Sequence, residues 1–301
     1  MSDRYAAHIA FVRPALGSPN LGPVLVVAVL MELIFILAPL IVGAMLPDRW
    51  LYLYETGVTP LGVLAQLLTF GLIAAALVWL VRKFHGRGFW SLVGPVDATI
   101  RNLKIAGLAV FVLLAAQAIL PPWIVFADLA EIRPLTSWAV WIIPAIVVLI
   151  IQTGTEELYF RGYLQQQCAA LSDRPRVWMG LPSLLFGAAH YLNGFGPADG
   201  VLYALWATLL GLTCADLTAR TGNIGAAIGL HLSNNLFAFL IVGEKGMPSS
   251  GLVLFLYPAT DHSQFDYGLH TLAEPWIIPE MLTITLLIGV MWLAARVALR
   301  R

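Results

Sequence analysis

Long apolar runs, punctuated by short clusters of charge, Pro and Gly, dominate the chain. They predict eight helices: Val24–Leu46, Thr59–Val81, Leu103–Leu120, Trp138–Ala170, Val177–Leu192, Val201–Leu217, Ile224–Val242 and Ile277–Val297. Several runs reach the roughly 20 residues that an α-helix needs to cross a bilayer. The expected fold is all-α, a polytopic membrane bundle of about eight transmembrane helices forming a single integral membrane domain over residues 1–301. No internal repeat or low-complexity tract interrupts it. The longest connection, Gly243–Pro275, is rich in Pro, Ser, Asp and His and suits a short re-entrant or surface segment. Met1–Pro23 lacks a compact apolar core followed by a small-residue cleavage site, so the first membrane helix is expected to act as an uncleaved insertion signal.

Composition agrees. Of 301 residues, 59% are hydrophobic and 11% charged, whereas a soluble domain carries about 25% charged residues. So few charges cannot cover a globular surface in water, which disfavours a soluble enzyme, a nucleic-acid binder and a disordered scaffold together. Net charge is formally zero, so no global field selects an anionic partner and no nucleic-acid partner is expected. Cys168 and Cys214 lie in or beside apolar segments and read as packing residues rather than a disulfide or metal pair. Oligomeric state leaves no signature.

Charge asymmetry orients the spans. With a cytoplasmic N-terminus and alternating spans, one side holds Arg4, Arg13, Arg82, Lys83, Arg87, Arg101, Lys104, Arg161, Arg174, Arg176, Arg220, Arg296, Arg300 and Arg301. The other holds only Arg49, Arg133 and Lys245, while acids such as Asp48, Glu55, Glu131, Glu244, Asp261 and Glu280 gather there. Fourteen bases against three, out of 17, place both termini in the cytoplasm. Arg82, Lys83, Arg87, Arg101 and Lys104 read as topology signals that also contact anionic lipid.

Ionisable residues inside spans cost at least ~2.5–3.5 kcal/mol each at a helix centre, so they are functional candidates by default. They are Glu32, Glu156, Glu157, Asp216, His190 and His231, with Arg161 nearby. Within Gly154–Arg161, Glu157 and Arg161 are four apart and share a helix face, acid before base, the better order for pairing. Glu156 projects about 100° away. Arginine can therefore neutralise one carboxylate while its neighbour faces another cavity. Such a carboxylate, in a site of low dielectric, suits a base that binds and deprotonates water. The plainer alternative is that both glutamates only knit helices together.

Helix-hairpin geometry adds a second element. The turn between the fourth and fifth spans centres near Asp173, with Glu156 17 positions before it and His190 17 after. An antiparallel hairpin then brings carboxylate and imidazole to one level; alone, His190 would read as an interhelical hydrogen-bond donor. On the seventh span His231 and Asn235 are four apart and share a face. Counted from its turn near Gly222, His231 lies about 14 Å along its helix and Glu156 about 25 Å along its own. The mismatch shrinks if Tyr163–Ser172 extends beyond the bilayer, which places the site in the cytoplasmic half of the membrane.

Glu156 and His190 can polarise a water between them, while His231 and Asn235 donate hydrogen bonds to the oxyanion formed as that water attacks an amide. Removing one such donor typically costs ~2.7–4 kcal/mol of transition-state stabilisation. There is no His-Glu-x-x-His zinc helix, no Gly-x-Ser-x-Gly elbow, no Gly-x-Gly-Asp and no P-loop.

Glu156-Glu157-x-x-x-Arg161, then Phe186-x-x-x-His190, then His231-x-x-x-Asn235, in that order on successive apolar helices, resembles the CAAX prenyl protease and bacteriocin-processing family of intramembrane glutamic endopeptidases. The motifs span about 80 residues within the region 150–240. The resemblance implies that Glu156 is the general base, His190 its partner in binding water, and His231 with Asn235 the oxyanion site. Glu157 and Arg161 would support them, and Phe186 would pack beside His190. It also implies a cavity open to the cytoplasm and to lipid, a membrane-bound or lipidated protein as substrate, no cofactor, and a bacterial or archaeal plasma membrane as location.

Two rival readings stand beside this one. Glu156, Glu157, His190 and His231 are also ligand types for zinc. The chain could instead be a non-catalytic membrane immunity factor, subunit or chaperone that keeps the motif as a polar core. Among the remaining residues, Glu32 and Asp216 read as hydrogen-bonded packing residues. His8, His85, His262 and His270 read as solvated. Trp50, Trp90, Trp123, Trp138, Trp178 and Trp276 read as aromatic anchors at the membrane interfaces.

Overall fold

A computed structural model describes residues 3–121 and 128–301. In chain order the helices are α1 (Ala6–Val12), α2 (Leu21–Ala44), α3 (Asp48–Thr56), α4 (Pro60–His85), α5 (Trp90–Val93) and α6 (Val96–Ile119). They continue with α7 (Leu135–Glu157), α8 (Gln166–Leu171), α9 (Leu181–Ala189), α10 (Pro197–Thr221), α11 (Gly225–Leu236) and α12 (Ile277–Leu299). The fold is an all-α polytopic bundle. All eight expected apolar segments are helical, but they differ in reach. Among the described residues six helices are long and apolar enough to cross a membrane, and the fourth of these runs 37 residues, Leu135–Leu171. The seventh apolar segment, Gly225–Ile241, is shorter, and the fifth is broken into a π-helical Arg176–Gly180 followed by α9.

Burial separates the inner helices from the outer ones. Leu25, Val29, Leu33, Ile36 and Leu40 of α2 are exposed, as are Leu282, Leu286, Leu293 and Val297 of α12. Apolar faces of that extent are tolerated only against lipid. By contrast every residue from Gly225 to Ser233 is buried, which makes α11 the axis of the bundle.

A seam of small residues allows this. A Cβ on Gly225 would lie 2.0 Å from the Thr99 carbonyl oxygen, and one on Gly229 would lie 2.4 Å from that of Leu103. Ser233 Oγ donates to the Gly107 carbonyl at 2.7 Å. These three contacts keep a constant sequence offset, so α6 and α11 run parallel, with backbones as close as small residues permit. Opposite the seam, Asn235 meets Gln152 and His231 meets Glu156, so α7 and α11 run antiparallel. Both senses agree with strict alternation of the spans.

Three short strands close one end: β1 (Glu131–Ile132), β2 (Val242–Glu244) and β3 (Phe255–Tyr257), in the order β1-β3-β2. β3 runs antiparallel to β1 and parallel to β2. Leu252, Val253, Leu254 and Leu256 are buried. Trp138 Nε1 donates to the carbonyls of Leu240 and Leu252, and Arg133 to those of Val253 and Ser250. The connection expected to be re-entrant or superficial therefore packs in part into the helix ends.

Several expectations need correction, each because tertiary packing covers a position that local sequence marks as flanking. His8 is fully buried, with its ring 4.3 Å from that of Trp178. Trp178 is itself fully buried rather than an interfacial anchor. His85 is buried and hydrogen-bonded to Ser18, Tyr163 and Gln167. His262 stacks on Phe195 at 3.6 Å and hydrogen-bonds Tyr267 and Glu244. His270 stays exposed. Trp50, Trp90 and Trp276 are exposed as anchors would be, and Trp123 lies outside the described residues. Glu32 accepts from Tyr159, while Asp216 accepts from Tyr5, Arg220 and Trp292, as packing residues would. Cys168 and Cys214 are free and buried.

Two outcomes follow. Gly229→Ala is expected to lower stability by about 1–3 kcal/mol through overpacking of the seam. Gly289→Ala, where a Cβ meets nothing within 4 Å, is expected to be neutral or slightly stabilising. Thermal unfolding of the detergent-purified variants reads both.

A further outcome concerns His8, where Gln165 Nε2 donates to His8 Nε2, so the ring is held neutral. Burial pushes its imidazole down to about 4. The folded value lies below the unfolded one, so stability is complete above about pH 6.5 and is lost as pH falls toward 4, by up to ~1.4 kcal/mol per unit. His8→Gln is expected to flatten that slope relative to wild type in melting curves taken between pH 7 and 5.

Candidate active site

The site is built where α7 ends. Thr155 Oγ1 donates to the Phe70 carbonyl on α4 at 3.0 Å, which anchors the last turn of α7. Beyond Glu157 the chain widens into a π-helical stretch, Leu158–Gln165, all of it buried. π-helical turns recur at functional sites because the register shift re-aims side chains. The opposite walls are α11, placed by its seam, and α9. A Cβ on Gly187 would lie 2.0 Å from Thr208 Oγ1, so only glycine lets α9 approach α10 closely enough to place the Phe186–His190 turn.

A chain of charges runs through the centre. Arg161 Nη1 donates to Glu157 Oε1 at 3.1 Å, and neither side chain is exposed at all. The same Glu157 oxygen accepts from His231 Nδ1 at 2.9 Å. Because a carboxylate only accepts, Nδ1 carries the proton and the ring is fixed in orientation. Its other nitrogen, Nε2, faces Glu156 Oε2 at 3.4 Å. One imidazole thus joins two adjacent carboxylates, and the second of these is balanced by arginine. Glu156 Oε2, buried, has no hydrogen-bond partner among the described residues.

Phe186 spaces the rest. Its ring lies 4.4 Å from that of His190, 5.7 Å from that of His231 and 4.9 Å from the Arg161 guanidinium carbon. His190 Nδ1 donates to the Phe186 carbonyl at 2.8 Å, leaving Nε2 as an acceptor. Asn235 sits one turn from His231, and its Nδ2 donates to Gln152 Oε1 at 2.9 Å. Asn234 Nδ2 donates to Asn235 Oδ1 at 3.0 Å.

The structure therefore brings Glu156, Glu157, Arg161, Phe186, His190 and His231 together, with Asn235 at the edge. It differs from the sequence expectation in one pairing. The imidazole directly beside Glu156 is His231, whereas His190 interacts with Glu156 electrostatically, without a hydrogen bond among the described residues. Glu157 is also more than a local partner of Arg161, since it orients His231. Gln152 was missed. Its position four residues before Glu156, on the same face, was the available signal. As for zinc, among the described residues no three His, Cys, Asp or Glu side chains converge on one point.

A polytopic helical bundle with a buried carboxylate–imidazole chain defines the class: a multi-pass membrane protein with a cluster of ionisable side chains in its core. Comparison with known proteins narrows it. Residues 136–237 match the family model described as Type II CAAX prenyl endopeptidase Rce1-like. That third of the chain runs from α7 through α11 and holds all seven residues named above as motif positions, so the resemblance read from the motifs is borne out. A Bacillus subtilis (strain 168) protein, "Uncharacterized protein YyaK", is 28% identical over 185 residues, 60% of this chain. The match spans 62% of that relative's own length. No solved structure matches.

Removing the charge at Glu157 would leave Arg161 buried without a carboxylate, a change that typically costs about 3–5 kcal/mol. Glu157→Gln is accordingly expected to lower the melting temperature far more than Glu156→Gln. The double variant Glu157→Gln/Arg161→Met is expected to recover part of the loss. Equal melting temperatures for the two glutamine variants would contradict the charge chain.

Proposed function

We propose that the protein is an intramembrane endopeptidase that hydrolyses a peptide bond of a membrane-bound or lipidated protein by glutamate- and histidine-activated water, without a cofactor. The observation that carries this reading is the chain Arg161–Glu157–His231–Glu156, whose free end is a buried carboxylate oxygen beside an imidazole nitrogen. The family match supports the protease class and a bilayer setting.

In the proposed reaction a water donates one hydrogen to Glu156 Oε2 and the other to His190 Nε2, the nitrogen left as an acceptor. Its oxygen attacks the scissile carbonyl carbon as Glu156 takes the proton. Negative charge develops on the carbonyl oxygen, which accepts from the second N–H of the Asn235 amide and from Nε2–H of His231, whose ring in this step carries a proton on each nitrogen. Glu157 fixes the orientation of the His231 ring by accepting from Nδ1–H, the role a carboxylate plays behind a catalytic imidazole. Collapse breaks the C–N bond, Glu156 returns its proton to the leaving amine, and a carboxylic acid and an amine depart. The fourteen-to-three distribution of bases supports cytoplasmic termini with the site nearer that face, in what we take to be a bacterial or archaeal plasma membrane.

Glu156→Gln and His190→Ala are expected to abolish cleavage while leaving the melting temperature close to wild type. Asn235→Ala is expected to lower kcat by about 10²–10³-fold with little change in KM. Comparative membrane proteomics of wild-type and Glu156→Gln cells is expected to reveal uncleaved precursors. A phenotype that survives both Glu156→Gln and His190→Ala would instead mark a non-catalytic membrane subunit. Activity lost on chelation and restored by zinc, with an anomalous signal at Glu156, His190 and His231, would move the mechanism to a metalloprotease.

A further inference from the structure

Away from this site, at the end of the bundle where α1, α10 and α12 meet, lies a cavity of about 250 Å³. Four arginines line it, from three separate parts of the chain: Arg4, Arg220, Arg300 and Arg301. Their convergence is built into the backbone. Gly222 ends α10 in the left-handed region (φ 69°), and a Cβ there would lie 2.8 Å from the Ala7 carbonyl oxygen, so α1 sits tightly on that turn. Arg300 ends α12 in the same region (φ 54°), and Arg301 folds back so that its amide donates to the Arg296 carbonyl and its carbonyl accepts from Arg296 Nε. Both helices end here, and their C-terminal carbonyls help to gather the arginines at this end of the bundle.

Charge balance is the telling feature. Asp216 is the acid of this region that holds a partner from the cluster, accepting from Arg220 Nε at 2.6 Å, and it also accepts from Tyr5 and Trp292. Among the described residues no carboxylate pairs with Arg4, Arg300 or Arg301. Among the described residues, three guanidinium groups therefore line one concavity without a side-chain carboxylate partner. Guanidinium groups bind phosphate oxygens in pairs of parallel hydrogen bonds, and several around one cavity suit a phosphate group better than a single carboxylate. The apolar residues Leu293 and Val297 of α12, both exposed, lead along the outside of the bundle toward the cavity.

We propose that this cavity is an anion site that binds a phosphate group, supplied by the headgroup of an anionic lipid whose chains lie along α12. The test uses the purified full-length chain in detergent, with phosphatidylglycerol and phosphatidylcholine as probes and retained lipid read by native mass spectrometry. Wild type is expected to retain phosphatidylglycerol over phosphatidylcholine. The triple variant Arg4→Ala/Arg300→Ala/Arg301→Ala is expected to lose that preference by about tenfold or more, as removal of charge-assisted bonds predicts. The control pair Arg174→Ala/Arg176→Ala, exposed bases outside the cavity, is expected to behave as wild type. If the triple variant does not purify, Arg300→Glu takes its place with the same expectation. Displacement of lipid by millimolar inorganic phosphate would assign the site to a soluble phosphate, and retention against it to the lipid. Unchanged selectivity in the variant, or an equal loss in the control pair, would overturn the proposal.

Discussion

Two neighbouring carboxylates inside an apolar bundle impose the central constraint on this molecule. Neither can be left charged and alone at that depth, since an uncompensated ion in such a medium is far costlier than any packing defect. The solution observed is a line of charge from Arg161 through Glu157 and His231 to Glu156. It ties the π-helical continuation of α7 to α11, so the two can hardly be packed in another register without stranding a charge.

That line has consequences for packing well beyond itself. His231 can reach both glutamates only because α11 sits at the centre, and α11 can sit there only because Gly225, Gly229 and Ser233 let it lie against α6. The polar stripe and the small-residue stripe are opposite faces of one helix. Phe186 then serves as an apolar spacer between two imidazoles and a guanidinium. Polar groups held in place by such surroundings need little reorganisation when charge develops nearby, the condition under which preorganised donors act most strongly.

The same logic governs the end of the bundle that carries α1. Gln165, Gln166 and Gln167 are consecutive and buried, and each finds a partner on a different segment: His8, Arg87 and His85. Helical spans that project past the apolar layer thus continue into a hydrogen-bonded cap rather than into solvent. The opposite end is closed differently, by backbone carbonyls of the 240–254 segment received by Trp138 and Arg133.

The all-α bundle, the positions of its apolar helical segments and the seven motif positions were legible from one dimension, because hydrophobic run length and i, i+4 spacing are local properties of the chain. Burial at the flanks was not: His8, His85 and Trp178 sit where local pattern suggests water or headgroups, yet segments remote in sequence cover them. Nor was the choice of His231 over His190 as the neighbour of Glu156, or the bond from Asn235 to Gln152. Those pairings follow from the rotation of one helix against another and from how closely their backbones approach. Both quantities arise from contacts across the whole bundle, so no periodicity within a single segment encodes them.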